Sequence, residues 1–251
     1  MTKMVVDKLS NDLFEGPIAV LDILGFKQHI CSGNNDHVIY MIERLRQRAK
    51  YSTDNANQRI YEGNNLHTGD KSVEHVDFVN ISDAVLVVNK SSDGTIRDRC
   101  SRLTDAISSI LANSFISGIP LRGALAFGSY TFDKIKDIYF GKPILEAMEY
   151  ERLQQWIGVG ICPSFEKCLL LGEMPRNIVP FDVPMKGSGR KMTHAINWSL
   201  LASLPNRRRA DELFDLGSKS PDENIRLKWK NTRDFFDIDP HHDLPIFHSP
   251  H

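Results

Sequence analysis

The chain has 251 residues, with 31 Lys and Arg against 32 Asp and Glu and a net charge of −1, so no global field recruits nucleic acid or an anionic membrane. Hydrophobic residues make up 41% and charged residues 25%, ordinary values for a globular chain able to bury one sizeable core, or one core and a small appendage. No run approaches the roughly 18 to 20 apolar residues of a membrane span, and Met1–Asp7 lacks the long apolar core of a signal peptide.

Ile18–Phe26 is an apolar run short enough for one strand, bounded by Pro17 and Gly25, with Asp22 in its middle. A buried, unpaired Asp costs several kcal/mol or gives up its charge. Its partner is therefore a helix N-terminus, an Arg, or a divalent cation held against a polyphosphate. A helix is expected from near His37, where Val38, Met41, Ile42, Leu45 and Ala49 recur at helical spacing. From Tyr51 to about Lys71 the chain is rich in Asn, Asp and Gly and reads as a long loop.

Two strands follow, Val73 to Ile81 and Ala84 to Asn89, pivoting on Ser82-Asp83. Ser91 to Gly94 caps a second helix along Ile96, Cys100, Leu103, Ile107 and Ile110, which stops before Gly118. Leu121 to Tyr130 is the next strand. The order strand, helix, strand, strand, helix, strand predicts an α+β fold with a ferredoxin-like βαββαβ core.

A C-terminal α/β extension follows. Gly141-Lys142-Pro143 opens a helix, Ile157 to Ile161 reads as a strand, and Ser164 to Leu171 as a short helix ended by Gly172. Ile178 to Met185 carries Pro180 and Pro184 and so belongs at a sheet edge. After a turn at Gly187-Ser188-Gly189, Met192 to Trp198 is a further strand, and helices are expected near Arg208 to Leu216 and Asp222 to Phe236. The expected division is 1–200 as the functional domain and 201–251 as a helical extension with a flexible tail.

Asp83, at the hairpin pivot, is either a simple turn residue or the second carboxylate of a metal pair, because the first strand lies beside this hairpin in a ferredoxin-like sheet. Arg122 sits on a face of small residues and either meets substrate or pairs with Glu151. His241, His242, His248 and His251 crowd a Pro-rich tail, better read as loose chain than as a metal site. Cys31, Cys100, Cys162 and Cys168 lack Cys-x-x-Cys spacing and read as reduced structural thiols in a cytoplasmic protein. No nucleophile elbow and no Walker loop is present.

Asp22-Ile23-Leu24-Gly25-Phe26 resembles the first metal-binding segment of class III nucleotidyl cyclases, and Ser82-Asp83-Ala84-Val85-Leu86 resembles the second, with Ser where Gly is usual. Leu121–Gly128, Tyr139 through Glu151, and Val183–Gly187 are similar to later segments of that family, so the resemblance covers about Ile18 to Trp198. The departures are Leu145 and Glu149, where the family carries a transition-state Asn and Arg, and Lys142, where a purine-selecting residue stands. With these departures the chain most resembles the bacterial pyrimidine cyclases of anti-phage Pycsar-type signalling.

That resemblance implies conversion of UTP or CTP to the 3′,5′-cyclic monophosphate and pyrophosphate, with two Mg²⁺ or Mn²⁺ ions held by Asp22, Asp83 and the Ile23 carbonyl. It implies polyphosphate or base contacts from Gly25, Phe26, Lys27, Lys142 and Lys186. The cation that replaces the missing pair would be Arg122 first and Lys186 second. It implies a head-to-tail homodimer with sites at the interface, without nucleic acid or membrane partners. The alternative is a degenerate cyclase fold that binds nucleotide without turning it over. A relative of nucleic-acid polymerases or nucleases is a weaker alternative, for want of a basic groove.

Overall fold

The computed structural model describes residues 13–63, 76–92, 94–169, 174–187, 189–199 and 204–237. Its strands are β1 (Leu13–Ile23), β2 (Val76–Ile81), β3 (Ala84–Asn89), β4 (Leu121–Asp133), β5 (Ile138–Gly141), β6 (Gly158–Ile161), β7 (Ile178–Met185) and β8 (Gly189–Ile196). Its helices are α1 (Phe26–Cys31), α2 (Asn35–Gly63), α3 (Ile96–Ile116), α4 (Lys142–Leu153), α5 (Pro163–Leu169), α6 (Leu204–Ser218) and α7 (Glu223–Phe236). The eight strands form one sheet in the order β2-β3-β1-β4-β6-β8-β7, with β5 paired to β4.

The first four strands in that order, with α2 and α3 as crossovers, are the expected ferredoxin-like βαββαβ core. β1 runs antiparallel to both β3 and β4, so it is a central strand, and Ile18 to Leu21 is buried on both faces of the sheet, which is why it is a continuous apolar run rather than an alternating one. The extension adds β6 parallel to β4, then β8 and β7 antiparallel. β7 ends the sheet, where Pro180 and Pro184 cost no ladder bond on the open side.

Two expectations need correction. Tyr51 to Gly63 is not loop but the continuation of α2. The segment is polar, yet Ser52, Thr53 and Ala56 are buried, and the Asn57 amide exchanges two hydrogen bonds with the backbone of Val76 (2.9 and 3.0 Å). Packing against β2 therefore overrides a weak local preference. The cap of α3 is Thr95 rather than the Ser91–Gly94 segment: its hydroxyl accepts from the Asp98 amide while the Asp98 carboxylate accepts from the Thr95 amide. The start of the expected strand at Val73, the cap candidate Asp93, the helix end at Gly172 and the histidine-rich tail lie outside the described residues.

The 201–251 segment contributes to the core where it is described. Phe235 of α7 stacks edge-on against Trp156 and Phe181, and Phe214 of α6 packs on Phe115 and Trp229. Thr232 accepts a hydrogen bond from the Ile157 amide (2.7 Å), and Asn231 donates to the Gln155 carbonyl (2.7 Å). α7 is thereby fixed across the entrance to β6. All four cysteines are free thiols, and no helix among the described residues is long and apolar enough to cross a membrane.

Candidate active site

Asp22 is the penultimate residue of β1, directly between Ala84 of β3 and Arg122 of β4. The β2–β3 turn is Ser82-Asp83, with Ser82 at φ 58. A positive φ at the first central residue is the mark of a hairpin turn that normally takes Gly. The Ile23 amide donates to the Asp83 carbonyl (3.2 Å) and the Leu24 amide to the Pro120 carbonyl (2.9 Å). These bonds pin the end of β1 against both neighbours, and they bring the Asp22 and Asp83 carboxyls within hydrogen-bond contact. The two acids anticipated as a pair do converge.

Beyond β1 the chain must turn sharply into α1. Gly25 provides that turn at φ +82, a conformation that side-chain-bearing residues rarely adopt. Phe26 is buried and anchors α1, Lys27 is exposed, and the amides of both open α1 beside the acids. On β4, Gly123 lets the strand approach β1: a Cβ there would stand 2.4 Å from the Val20 carbonyl.

Arg122 is 8% exposed and commits its guanidinium inward. Its Nε donates to Glu151 of α4, its Nη1 donates to the Gln154 carbonyl (3.2 Å), and its Nη2 lies 3.7 Å from Asp22. The pairing with Glu151, one of the two alternatives for Arg122, is thus the one formed. Lys186 follows β7 and donates to the Arg152 carbonyl (2.6 Å) at the end of α4. Lys142 opens the other end of α4, beside Gly141, which pairs with Tyr130. Eight residues of β4 at ~3.3 Å each put it roughly 26 Å from Asp22 within one chain. Lys142 is therefore not part of the cluster that one chain assembles, because α4 runs along the sheet and only its C-terminal end reaches Asp22.

Burial pushes the Asp22 carboxyl from 3.8 up to about 7, with Glu151 and Asp83 adding to the rise and Arg122 opposing it. Burial also raises Glu151, against the pull of Arg122. A carboxyl raised in this way keeps its proton in the folded protein between about pH 4 and 7, where the unfolded chain has released it. The fold therefore loses stability as the pH rises through that window. In chelator, Asp22→Asn is expected to melt higher than the parent at about pH 8 and no higher near pH 4; an equal difference at both values would show that Asp22 does not carry the proton.

Among the described residues, no group of three or more His, Cys, Asp or Glu side chains gathers as a metal cage. Two carboxylates and a neighbouring carbonyl are nonetheless the donor set that suits Mg²⁺ or Mn²⁺, hard cations usually held by one or two carboxylates plus substrate phosphates. Burial and the neighbouring acids together disfavour the ionised Asp22 carboxylate, a cost that a cation placed between the two acids would offset. Asp22, Asp83 and the Ile23 carbonyl fit such ions.

Sequence reasoning missed Lys228 of α7. It is half-buried, and burial lowers its amine, with Arg122 and Lys186 adding to the effect while Asp222 and Glu151 oppose it. A helix far along the chain gives no local sign of which strand end it will cover.

No family model and no curated protein matches this sequence. Among solved structures, the guanylate cyclase domain of RhGC from Catenaria anguillulae in complex with GTP aligns over 73% of this chain and 97% of its own, at 17% identity and TM-score 0.48. The adenylyl cyclase CyaB from P. aeruginosa aligns over 73% and 95%, at 11% identity and TM-score 0.48. Likenesses this shallow assign no substrate and no residue role to the chain.

Proposed function

We propose that the protein is a nucleotidyl cyclase that converts a pyrimidine ribonucleoside triphosphate, UTP or CTP, to its 3′,5′-cyclic monophosphate and pyrophosphate, as a signal in anti-phage defence. The observation that carries the cyclase reading is the meeting of Asp22 and Asp83 at the end of β1, on the two segments whose sequences resemble the family's metal-binding motifs. The pyrimidine preference and the defence role rest on the sequence resemblance alone.

In this reading Asp22, Asp83 and the Ile23 carbonyl hold two divalent cations. When bound, these ions would lower the pKa of the ribose 3′-hydroxyl and offset charge on the phosphates. Asp22 and Asp83 orient the 3′-oxygen in line with the α-phosphorus, so that the hydroxyl proton passes to solvent, the new O–P bond forms, and the bond from the α-phosphorus to the departing pyrophosphate breaks. The Phe26 and Lys27 amides face the phosphates, and Gly25 lets them approach. Arg122 keeps Glu151 and Asp22 in place from beneath rather than reaching the substrate.

A head-to-tail homodimer accounts for the far end of α4. Ile135, Phe140, Leu145 and Met148 are exposed apolar side chains along β5, its approach and the start of α4, a strip of the kind that marks an interface. A second copy would cover it and bring Lys142 to the partner's acids. Phe140→Glu is expected to give a monomer by light scattering and to lower turnover at least ~30-fold; a fully active Phe140→Glu dimer would count against this surface.

Leu145 is 62% exposed and Glu149 is exposed where the family's transition-state Asn and Arg stand, which favours a second reading as a nucleotide-binding module without turnover. Incubation with each of the four ribonucleoside triphosphates and Mn²⁺, followed by chromatography, separates the two. A cyclic product from UTP or CTP supports the proposal; tight binding with no product establishes the module; a purine product overturns the pyrimidine assignment.

A further inference from the structure

Lys186 is the residue that the resemblance assigns to the triphosphate, but it is tied to the Arg152 carbonyl, and Arg122 is buried against Glu151 and the Gln154 carbonyl. The Arg122 guanidinium is thus committed inward, while the exposed Lys186 ammonium rests on a carbonyl at the end of α4 rather than against the acids. Among the described residues, Lys27 stands exposed on α1, and a further cation in this neighbourhood comes from α7. That helix is anchored at two points: its cap Asp222 accepts a hydrogen bond from Gln28 of α1 (3.1 Å), and its Thr232 accepts from the Ile157 amide at the entrance to β6. Gly158 of β6 pairs with Arg122, which pairs with Asp22. The stretch of α7 between the anchors therefore runs past the acid cluster, and Lys228 lies in it, one turn before Thr232, whose hydroxyl donates to the Lys228 carbonyl (2.7 Å).

We propose that Lys228 is a polyphosphate-binding residue of this site, supplied by the C-terminal helix α7 in place of the lysine that follows β7. The inference rests on the cyclase reading and goes beyond it, since no part of the resembling segments contains α7. Among the described residues the Lys228 ammonium makes no ion pair and no hydrogen bond, although its stem is half-buried. Its electrostatic neighbours are Arg122 and Lys186, opposed by Asp222 and Glu151. Holding an amine beside two other cations costs free energy that an incoming polyanion relieves, and in a partly dry site such a contact is strengthened. The Gln28–Asp222 contact has a role in this arrangement, because it joins the start of α7 to the helix whose amides lie beside Asp22.

The test uses inorganic pyrophosphate with Mn²⁺ as the probe, titrated calorimetrically into the full-length protein. Lys228→Met, which keeps the packing of the stem, is expected to bind at least about tenfold more weakly, the lower end for a lost charge-assisted hydrogen bond. Lys228→Arg is expected to stay within about threefold of the parent, and both variants to melt within about 2 °C of it. The KM for the triphosphate should rise in Lys228→Met in parallel with the binding loss. A parent protein that binds pyrophosphate while Lys228→Met binds it equally well overturns the assignment of Lys228 alone. A parent that binds no pyrophosphate overturns the cyclase reading with it.

Discussion

Asp22→Ala and Asp83→Ala are each expected to abolish cyclic nucleotide formation while melting no lower than the parent protein. The two carboxylates are the only side chains proposed to hold the cations. Charge stabilisation of this kind is worth several kcal/mol in the transition state, so loss of either acid corresponds to at least about a thousandfold in rate. The fold does not need them. Among the described residues, the Asp22 side chain meets Asp83 and, at 3.7 Å, the guanidinium of Arg122, with Glu151 adding repulsion. Its carboxyl is raised to about 7 because the ionised form is unwelcome where it sits, so truncation removes a cost rather than a support. Product chromatography and thermal melts on the same preparations decide the matter. Either variant retaining even a tenth of parental turnover would sink the metal assignment.

The second large effect is on stability. Arg122→Ala is expected to cost about 3 to 5 kcal/mol, because it leaves Glu151, only 5% exposed, as a buried acid without its cation. The Gln154 carbonyl loses a donor in the same substitution. In a chain of this size that loss corresponds to a fall in Tm of about 6 to 20 °C. The double variant Arg122→Met with Glu151→Leu is expected to recover most of it, since a buried ion pair is often matched by apolar side chains of similar volume. If Arg122→Ala instead melts with the parent and loses only turnover, the guanidinium serves the substrate and its pairing with Glu151 is incidental.

Arg122 illustrates what a sequence leaves open. Its place on a face of small residues allowed either a structural partner or a ligand, and nothing local decides between them. Glu151 became the partner because β4 and the C-terminal end of α4 lie against each other. α2 makes the same point about a whole segment. Asn and Asp between Tyr51 and Gly63 argue for loop, and only Asn57 gripping the Val76 backbone, with Ser52, Thr53 and Ala56 buried, shows why the helix continues. The hairpin, by contrast, was legible: two β-rich runs around Ser82-Asp83 have one economical pairing, and that pairing carries Asp83 to Asp22.

The sequence by itself determined the elements with strong periodicity, their order, the ferredoxin-like core that this order implies, and the pair of acids at its centre. These follow from local patterns and from the few topologies that short connections allow. Only the tertiary structure decided which cations attend those acids. Lys142 was carried to the far end of the sheet, Lys186 was turned to a carbonyl, and Lys228 was brought in on a helix read as an appendage. The physical reason is that a cation's role depends on how deeply it is buried and which charges surround it. Both are set by packing between segments distant in the chain, about which local spacing is silent.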